Sequence, residues 1–228
     1  MLFWDRTHAV IIGARRSAAD LKPIWNAIWN EEALAPTAAE IQEFFERVAG
    51  DWDTMRLAYY DESVIERMAL HAGLSVETGD YARVVDVGTG TGFVAAGLAP
   101  LAGRVIGIDN SPAMLETARG NLEALNVSNV DLLQADLSRL PLADGSMDAA
   151  FANMVLHHAE DPAAMLSEMA RVTRPGGAVV ITDEAEHPYE WMRLEHADVW
   201  LGFTESQIRG FFEEAGLESH GYEPLGMQ

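Results

Sequence analysis

The chain has no cysteine and a single lysine, Lys22, so arginine supplies the rest of its 15 cationic side chains. Without cysteine there is no disulfide, no thiolate-bound zinc and no cysteine nucleophile, and the redox compartment is left unmarked. Against those 15 cations stand 36 acidic residues, a net charge of −21, and no basic run is longer than Arg15-Arg16. A groove for nucleic-acid phosphates needs clustered cations, so DNA, RNA and anionic membrane surfaces are not expected as partners. Long hydrophobic runs are missing too. Asp5, Arg6 and His8 stand ahead of an apolar run of about six residues, too short for a signal peptide or a membrane span. The expectation is a cytoplasmic protein that acts on, or binds, a small molecule.

What is present is enough apolar residue (49% of 228) to bury one sizeable core. Residues 1–80 read as a helical N-terminal cap and 81–228 as alternating strand and helix, with the boundary near VETGDYAR (76–83). In the cap, Ile24, Trp25, Ile28 and Trp29 recur at helical spacing, and Thr37 with Glu40 forms a capping-box pattern. The aromatic-rich stretch from Phe44 to Tyr60 precedes the first core strand and is a candidate lid over the open end of the sheet. RVVDVG (83–88), RVIGID (104–109), VDLLQA (130–135), MDAAFAN (147–153) and GAVVITD (177–183) read as five successive core strands. Ser111-Pro112, Asp161-Pro162 and the Thr204/Gln207 pair open helices, and Gly216 closes the last. Near-continuous apolar strands alternating with helices predict a doubly wound, mostly parallel α/β sheet. Ligands bind such sheets at the carboxyl ends of the strands.

The first core strand runs into VGTGTGF. A dinucleotide fingerprint places a third glycine at the sixth position counted from Gly88, but that position is Phe93. Asp86 also stands directly before the turn, where it would repel a pyrophosphate and suit a cationic amine. Asp109 ends the second strand 23 residues later, where a carboxylate can accept both hydrogen bonds of a ribose diol. The turn therefore suits a nucleoside that carries an amino acid.

VVDVGTGTG, VIGIDNS, LLQADLSRLPLADGSMDAAF, NMVLHH and VTRPGGAVVITD, in this order, resemble the successive motifs of class I S-adenosylmethionine-dependent methyltransferases, most closely the UbiE-like (type 11) branch. The likeness runs over roughly residues 40–220. It implies a Rossmann-like fold and S-adenosyl-L-methionine as the cofactor. By that resemblance Asp86 and the backbone of Gly88, Thr89, Gly90, Thr91 and Gly92 hold the methionine part. Asp109, with Asn110 beside it, takes the ribose hydroxyls. Met114 lies against the adenine, Asp136 accepts from its amine with Leu137 alongside, and Asn153 and Met154 flank the methionine moiety.

Methyl transfer from a sulfonium is an in-line displacement, so the protein mainly aligns the groups, and a base is needed only for a protonated acceptor. His157 and His158 are the candidates for that base. Residues 187–203, with Trp191, Leu194, Trp200, His187 and His196, read as a helical insert that shapes the acceptor pocket; no metal site is expected there. The segment is similar to part of methyltransferase domains fused to winged-helix regulators, although no basic recognition helix precedes the core. The likeness does not extend, on cysteine chemistry, to arsenic methyltransferases. The expected acceptor is a small apolar or aromatic molecule. Two other readings stay open: a nicotinamide-dependent oxidoreductase, against which Phe93 and Asp86 count, and a non-catalytic S-adenosylmethionine-binding sensor. The family fold ends on a long β-hairpin, yet nothing after LESHGYEPLGMQ remains to form its last strand. Either that strand is lacking or HAVIIGA (8–14) takes its place, in cis or from a second subunit of a homodimer.

Overall fold

The computed structural model describes residues 8–15, 35–58, 60–76 and 82–226. The helical stripe read around Ile24 to Trp29 lies outside them. A seven-stranded sheet runs in the order β4-β3-β2-β5-β6-β1-β7. Its strands are β1 (His8–Arg15), β2 (Arg83–Val87), β3 (Arg104–Asp109), β4 (Val130–Gln134), β5 (Met147–Asn153), β6 (Thr173–Glu184) and β7 (Glu218–Gly226). All six strand pairings are parallel.

The period-two pattern assigns the two faces. Val85, Val87, Ile106, Ile108 and Ile181 point into one buried cluster, and Val84, Val105, Phe151 and Val180 into the other. Helices α5 (Pro112–Ala124), α6 (Pro162–Val172) and α8 (Glu205–Glu214) start where their caps predict. The side chains of Ser111, Asp161 and Thr204 accept from the amides of Met114, Ala164 and Gln207, each such cap stabilising its helix by about 1 kcal/mol. Helix α4 (Phe93–Leu98) follows the glycine turn, and the short α7 (Trp191–Glu195) lies beyond β6.

Three expectations need correction. The cap of residues 1–80 is not wholly helical. It contributes β1 to the sheet as well as α1 (Ala38–Val48), α2 (Trp52–Met55) and α3 (Ser63–His71). In addition, the sheet does not lack a seventh strand. Residues 8–15 of the same chain pair in parallel with β6 on one side and β7 on the other, Ile11 opposite Ile181 and Tyr222. The 187–203 insert differs as well. Only five of its residues are α-helical, and an isolated bridge between Ala185 and Phe203 closes it into a loop.

Candidate active site

The carboxyl ends of β2, β3, β4 and β5 open into a cavity of about 740 Å³, within the range of small-molecule sites. Its wall includes Asp86, Gly88, Thr89, Gly90, Thr91, Asp109, Asn110, Met114, Asp136, Leu137, Asn153, Met154 and His158. Thirteen of the fifteen residues singled out in the sequence thus meet around one space. Gly92 and His157 are not part of that wall. Gly92 instead caps α4 with φ +82°, where a Cβ would come within 3.2 Å of Ala118.

Backbone and acids are tied together at the turn. Gly88 has φ +73°, and a Cβ there would meet Val155 Cγ2 at 2.4 Å, so only glycine lets the turn pass the β5 loop. The hydroxyl of Thr89 donates to Asp86 at 2.6 Å, and the amide of Gly90 donates to Asp109 at 2.8 Å. Asp109 also accepts from the amide of Ser111 at 2.9 Å. Burial drives the Asp86 carboxyl up to about 7, against the opposing Thr89 hydrogen bond. Burial raises Asp109 too, offset in part by the amides of Ser111 and Gly90. Asp136, by contrast, is exposed, and the hydroxyl and amide of Ser138 hold its carboxyl below the ordinary range.

Those acids bear on what the cavity accepts. Asp86, Asp109, Asp136, Glu160 and Asp161 are part of its wall, and no lysine or arginine is, among the described residues. Two buried carboxylates with no cation across from them suit a positively charged nucleoside and oppose a diphosphate. The residues present therefore fit S-adenosylmethionine, whose sulfonium and ammonium groups are cationic.

The far wall comes from the segment read as a lid. Ile41, Phe45, Trp52 and Tyr60 line the cavity. Phe45 meets Trp52 at 5.5 Å and the His158 ring at 4.8 Å, both edge to face. Asp53 latches this segment to the turn. It accepts from the Thr91 hydroxyl and from the Asn121 amide, each at 2.8 Å. Below it, Phe93 stacks under the Arg56 guanidinium at 3.6 Å and lies 5.7 Å from Tyr60.

The two histidines differ. His157 is buried, its Nδ1 2.7 Å from Asp183 and its Nε2 3.7 Å from Asp198. Burial alone would lower its pKa, but Asp183, Asp198 and Glu184 together raise it to about 10. Burial and the neighbouring His157, whose ring centre is 3.9 Å away, hold His158 well below the usual histidine range. Its Nδ1 lies 3.0 Å from the carbonyl of Ala197, which can only accept, so Nδ1 carries the proton and Nε2 keeps a lone pair. Residues 187–203 are absent from the wall of the large cavity and reach the site from behind. The amides of Val199 and Trp200 donate to the carbonyl of His157 at 3.0 and 2.9 Å. Ala197 also packs with Ile41 and Phe44 beneath the lid.

Residues 85–181 match the family described as Methyltransferase domain, type 11. Over 145 residues the chain is 36% identical to the arsenite methyltransferase of Halobacterium salinarum, covering 60% of this chain and 37% of that protein. The likeness therefore does reach an arsenic methyltransferase, although this chain has no cysteine. It is 26% identical over 216 residues to the demethylmenaquinone methyltransferase of Bacillus cereus, covering 81% and 90% of the two chains. The solved structure of a SAM-dependent methyltransferase from Aquifex aeolicus shares the architecture with a TM-score of 0.51 at 26% identity, over 69% of this chain and 88% of that one. The chain spans about two-fifths of the length of the first curated relatives it matches. Motif order, architecture and these likenesses agree: residues 85–181 are a methyltransferase domain, similar to those of class I S-adenosylmethionine-dependent methyltransferases, and the cavity fits the cofactor of that class.

Proposed function

We propose that the protein transfers a methyl group in line to a small apolar or aromatic acceptor, bound between the lid and the end of β5. The observation that carries this reading is the pair of buried carboxylates, Asp86 and Asp109, set on a glycine turn beside a wall without lysine or arginine among the described residues. When bound, the cofactor supplies a methyl group already activated on a sulfonium. Asp86 and the amides of Gly88 to Gly92 are assigned its amino-acid end. Asp109 with Asn110 takes the ribose, and Met114, Asp136 and Leu137 take the adenine. Asn153 and Met154 border the reacting end.

Ile41, Phe45, Trp52 and Tyr60 shape the space left for the acceptor and exclude water from it. His158 is the group placed to receive a proton, because it faces the cavity with an unprotonated Nε2. His157 acts through His158 and the loop, since it does not face the large cavity.

The non-catalytic sensor drew its support from a missing strand and from the regulator-associated insert, and β1 fills the place of the strand. The test is transfer of a radiolabelled methyl group from S-adenosylmethionine into a pool of small metabolites. Label is expected in an apolar or aromatic product. Persistent silence alongside tight cofactor binding would favour the sensor.

A further inference from the structure

Behind the large cavity lies a second one of only about 20 Å³, room for one water or a bare ion. His157, His158, Glu184, His196 and Asp198 form part of its wall. Trp52, Tyr60 and Met154 complete it and, with His158, also line the large cavity. Whatever occupies the small space therefore shares a wall with the acceptor.

The donor atoms around it converge. One ring nitrogen each of His157 and His158 and a carboxylate oxygen of Asp198 lie within 4.8 Å of one another. Glu184, His187 and Asp198 form a second such group that shares Asp198. Both imidazoles have Nδ1 engaged, His157 with Asp183 at 2.7 Å and His158 with the Ala197 carbonyl at 3.0 Å. Each ring is thereby left to use Nε2. Histidine ligands of metals are held in this way, with the second ring nitrogen fixed by a carboxylate or a backbone carbonyl. His157 Nε2 and Asp198 Oδ1 are 3.7 Å apart. That separation is too long for a hydrogen bond, yet it suits two ligands each about 2.0–2.2 Å from one ion.

We propose that His157, His158 and Asp198 bind a divalent first-row transition metal through two Nε2 atoms and a carboxylate oxygen, with Glu184 in the same wall as a further donor. Mixed imidazole and carboxylate ligands suit zinc or iron better than magnesium or calcium. The ion would replace the proton that His157 otherwise holds. From that position it would reach an oxygen or nitrogen of a molecule bound between Trp52, Met154 and His158. The site extends beyond the methyl-transfer reading and does not depend on it; with the ion bound His158 Nε2 is a ligand, so the proton-accepting role given to it above belongs to the metal-free protein.

The experiment titrates the chelator-treated full chain with Co²⁺ and follows visible absorption, with Zn²⁺ as competitor. The expected result is about one equivalent of tightly bound Co²⁺ with a ligand-field spectrum of a nitrogen- and oxygen-bound ion, displaced by Zn²⁺. Asp198→Asn and His158→Gln should each abolish the spectrum, and Asp183→Asn should weaken binding about 10–100-fold. Circular dichroism and S-adenosylmethionine affinity are measured on every variant, which keeps loss of the metal apart from loss of the fold or of the cofactor site. Should a variant not fold, the titration of the unaltered chain decides alone. Absence of stoichiometric Co²⁺ binding to that chain would overturn the proposal and leave a buried ion-pair cluster. So would binding that persists undiminished in folded Asp198→Asn and His158→Gln.

Discussion

Asp109 Oδ2 accepts a hydrogen bond from the amide of Gly90 at 2.8 Å, so one carboxylate at the end of β3 fixes the position of the glycine turn after β2. Its other oxygen accepts from Ser111 at the start of α5. The side chain assigned to the ribose thus also sets the geometry of the turn assigned to the methionine end. Asp109→Ala is expected to weaken S-adenosylmethionine by about 1.5–3 kcal/mol through loss of a charge-assisted contact. It should also lower the melting temperature, because two amides lose their acceptor. Asp109→Asn keeps an acceptor for one amide and should cost less on both measures. Unchanged affinity in the alanine variant would move the ribose elsewhere.

Asp86 makes cofactor binding depend on pH. Burial disfavours the anion and pushes its carboxyl up to about 7, and a cationic ligand needs that anion. Affinity should rise as pH passes from 6 to 8, approaching tenfold per unit on the acid side, and then level off. The stability of the unliganded protein runs the other way. A carboxyl whose folded pKa is raised contributes stability below about pH 4, its unfolded value, and loses it as pH rises through 7. Calorimetric titration and thermal unfolding across this window measure both trends. Asp86→Asn should flatten each, and a cofactor affinity independent of pH in the unaltered chain would contradict the role given to Asp86.

Asp53 joins the segment proposed as a lid to the turn through Thr91 and Asn121. Its side chain is 42% exposed, so solvent screens part of the interaction. Asp53→Ala should raise the cofactor Kd by roughly a factor of 3–10, in line with a net hydrogen-bond contribution of about 1 kcal/mol. Hydrogen exchange should accelerate over residues 38–58 while the sheet stays protected. Equal exchange in both proteins would mean that the aromatic contacts of Phe45 and Trp52 alone hold the lid.

The strands, helix starts and glycine turn were legible because each rests on local chemistry. Valine and isoleucine runs mark β2, β3 and β6, Ser111-Pro112 and Asp161-Pro162 mark helix starts, and Asp86 and Asp109 each close an apolar strand. Phe45, Trp52 and Tyr60 fell within the stretch read as a lid for the same reason. The partners of His157 were not legible, since Asp183 and Asp198 meet it only through folding, 26 and 41 residues along the chain. Asp53 reaches Asn121 across 68 residues, with no pattern linking the two. The insert misled because its spaced aromatics look helical, whereas Pro188 before α7 and Ala197 at φ +60° after it confine the helix to five residues.

β1 tests the architecture directly. Ile11 lies between Ile181 and Tyr222, with neighbours on both sides. Proline there removes a ladder donor inside a sheet, so Ile11→Pro should destabilise the protein by about 1–3 kcal/mol, the cost of a buried acceptor left unpaired, and deprotect β7 in hydrogen exchange. Unchanged stability and protection would show that another segment fills the place between β6 and β7.

The most direct measurement is isothermal titration of the full chain with S-adenosylmethionine, its demethylated product and NADH in parallel. Micromolar-range binding of the two sulfur nucleosides, each weakened in Asp86→Asn and Asp109→Ala, with no heat from NADH, is the predicted result. Tight binding of NADH with none of S-adenosylmethionine would contradict the account at its base.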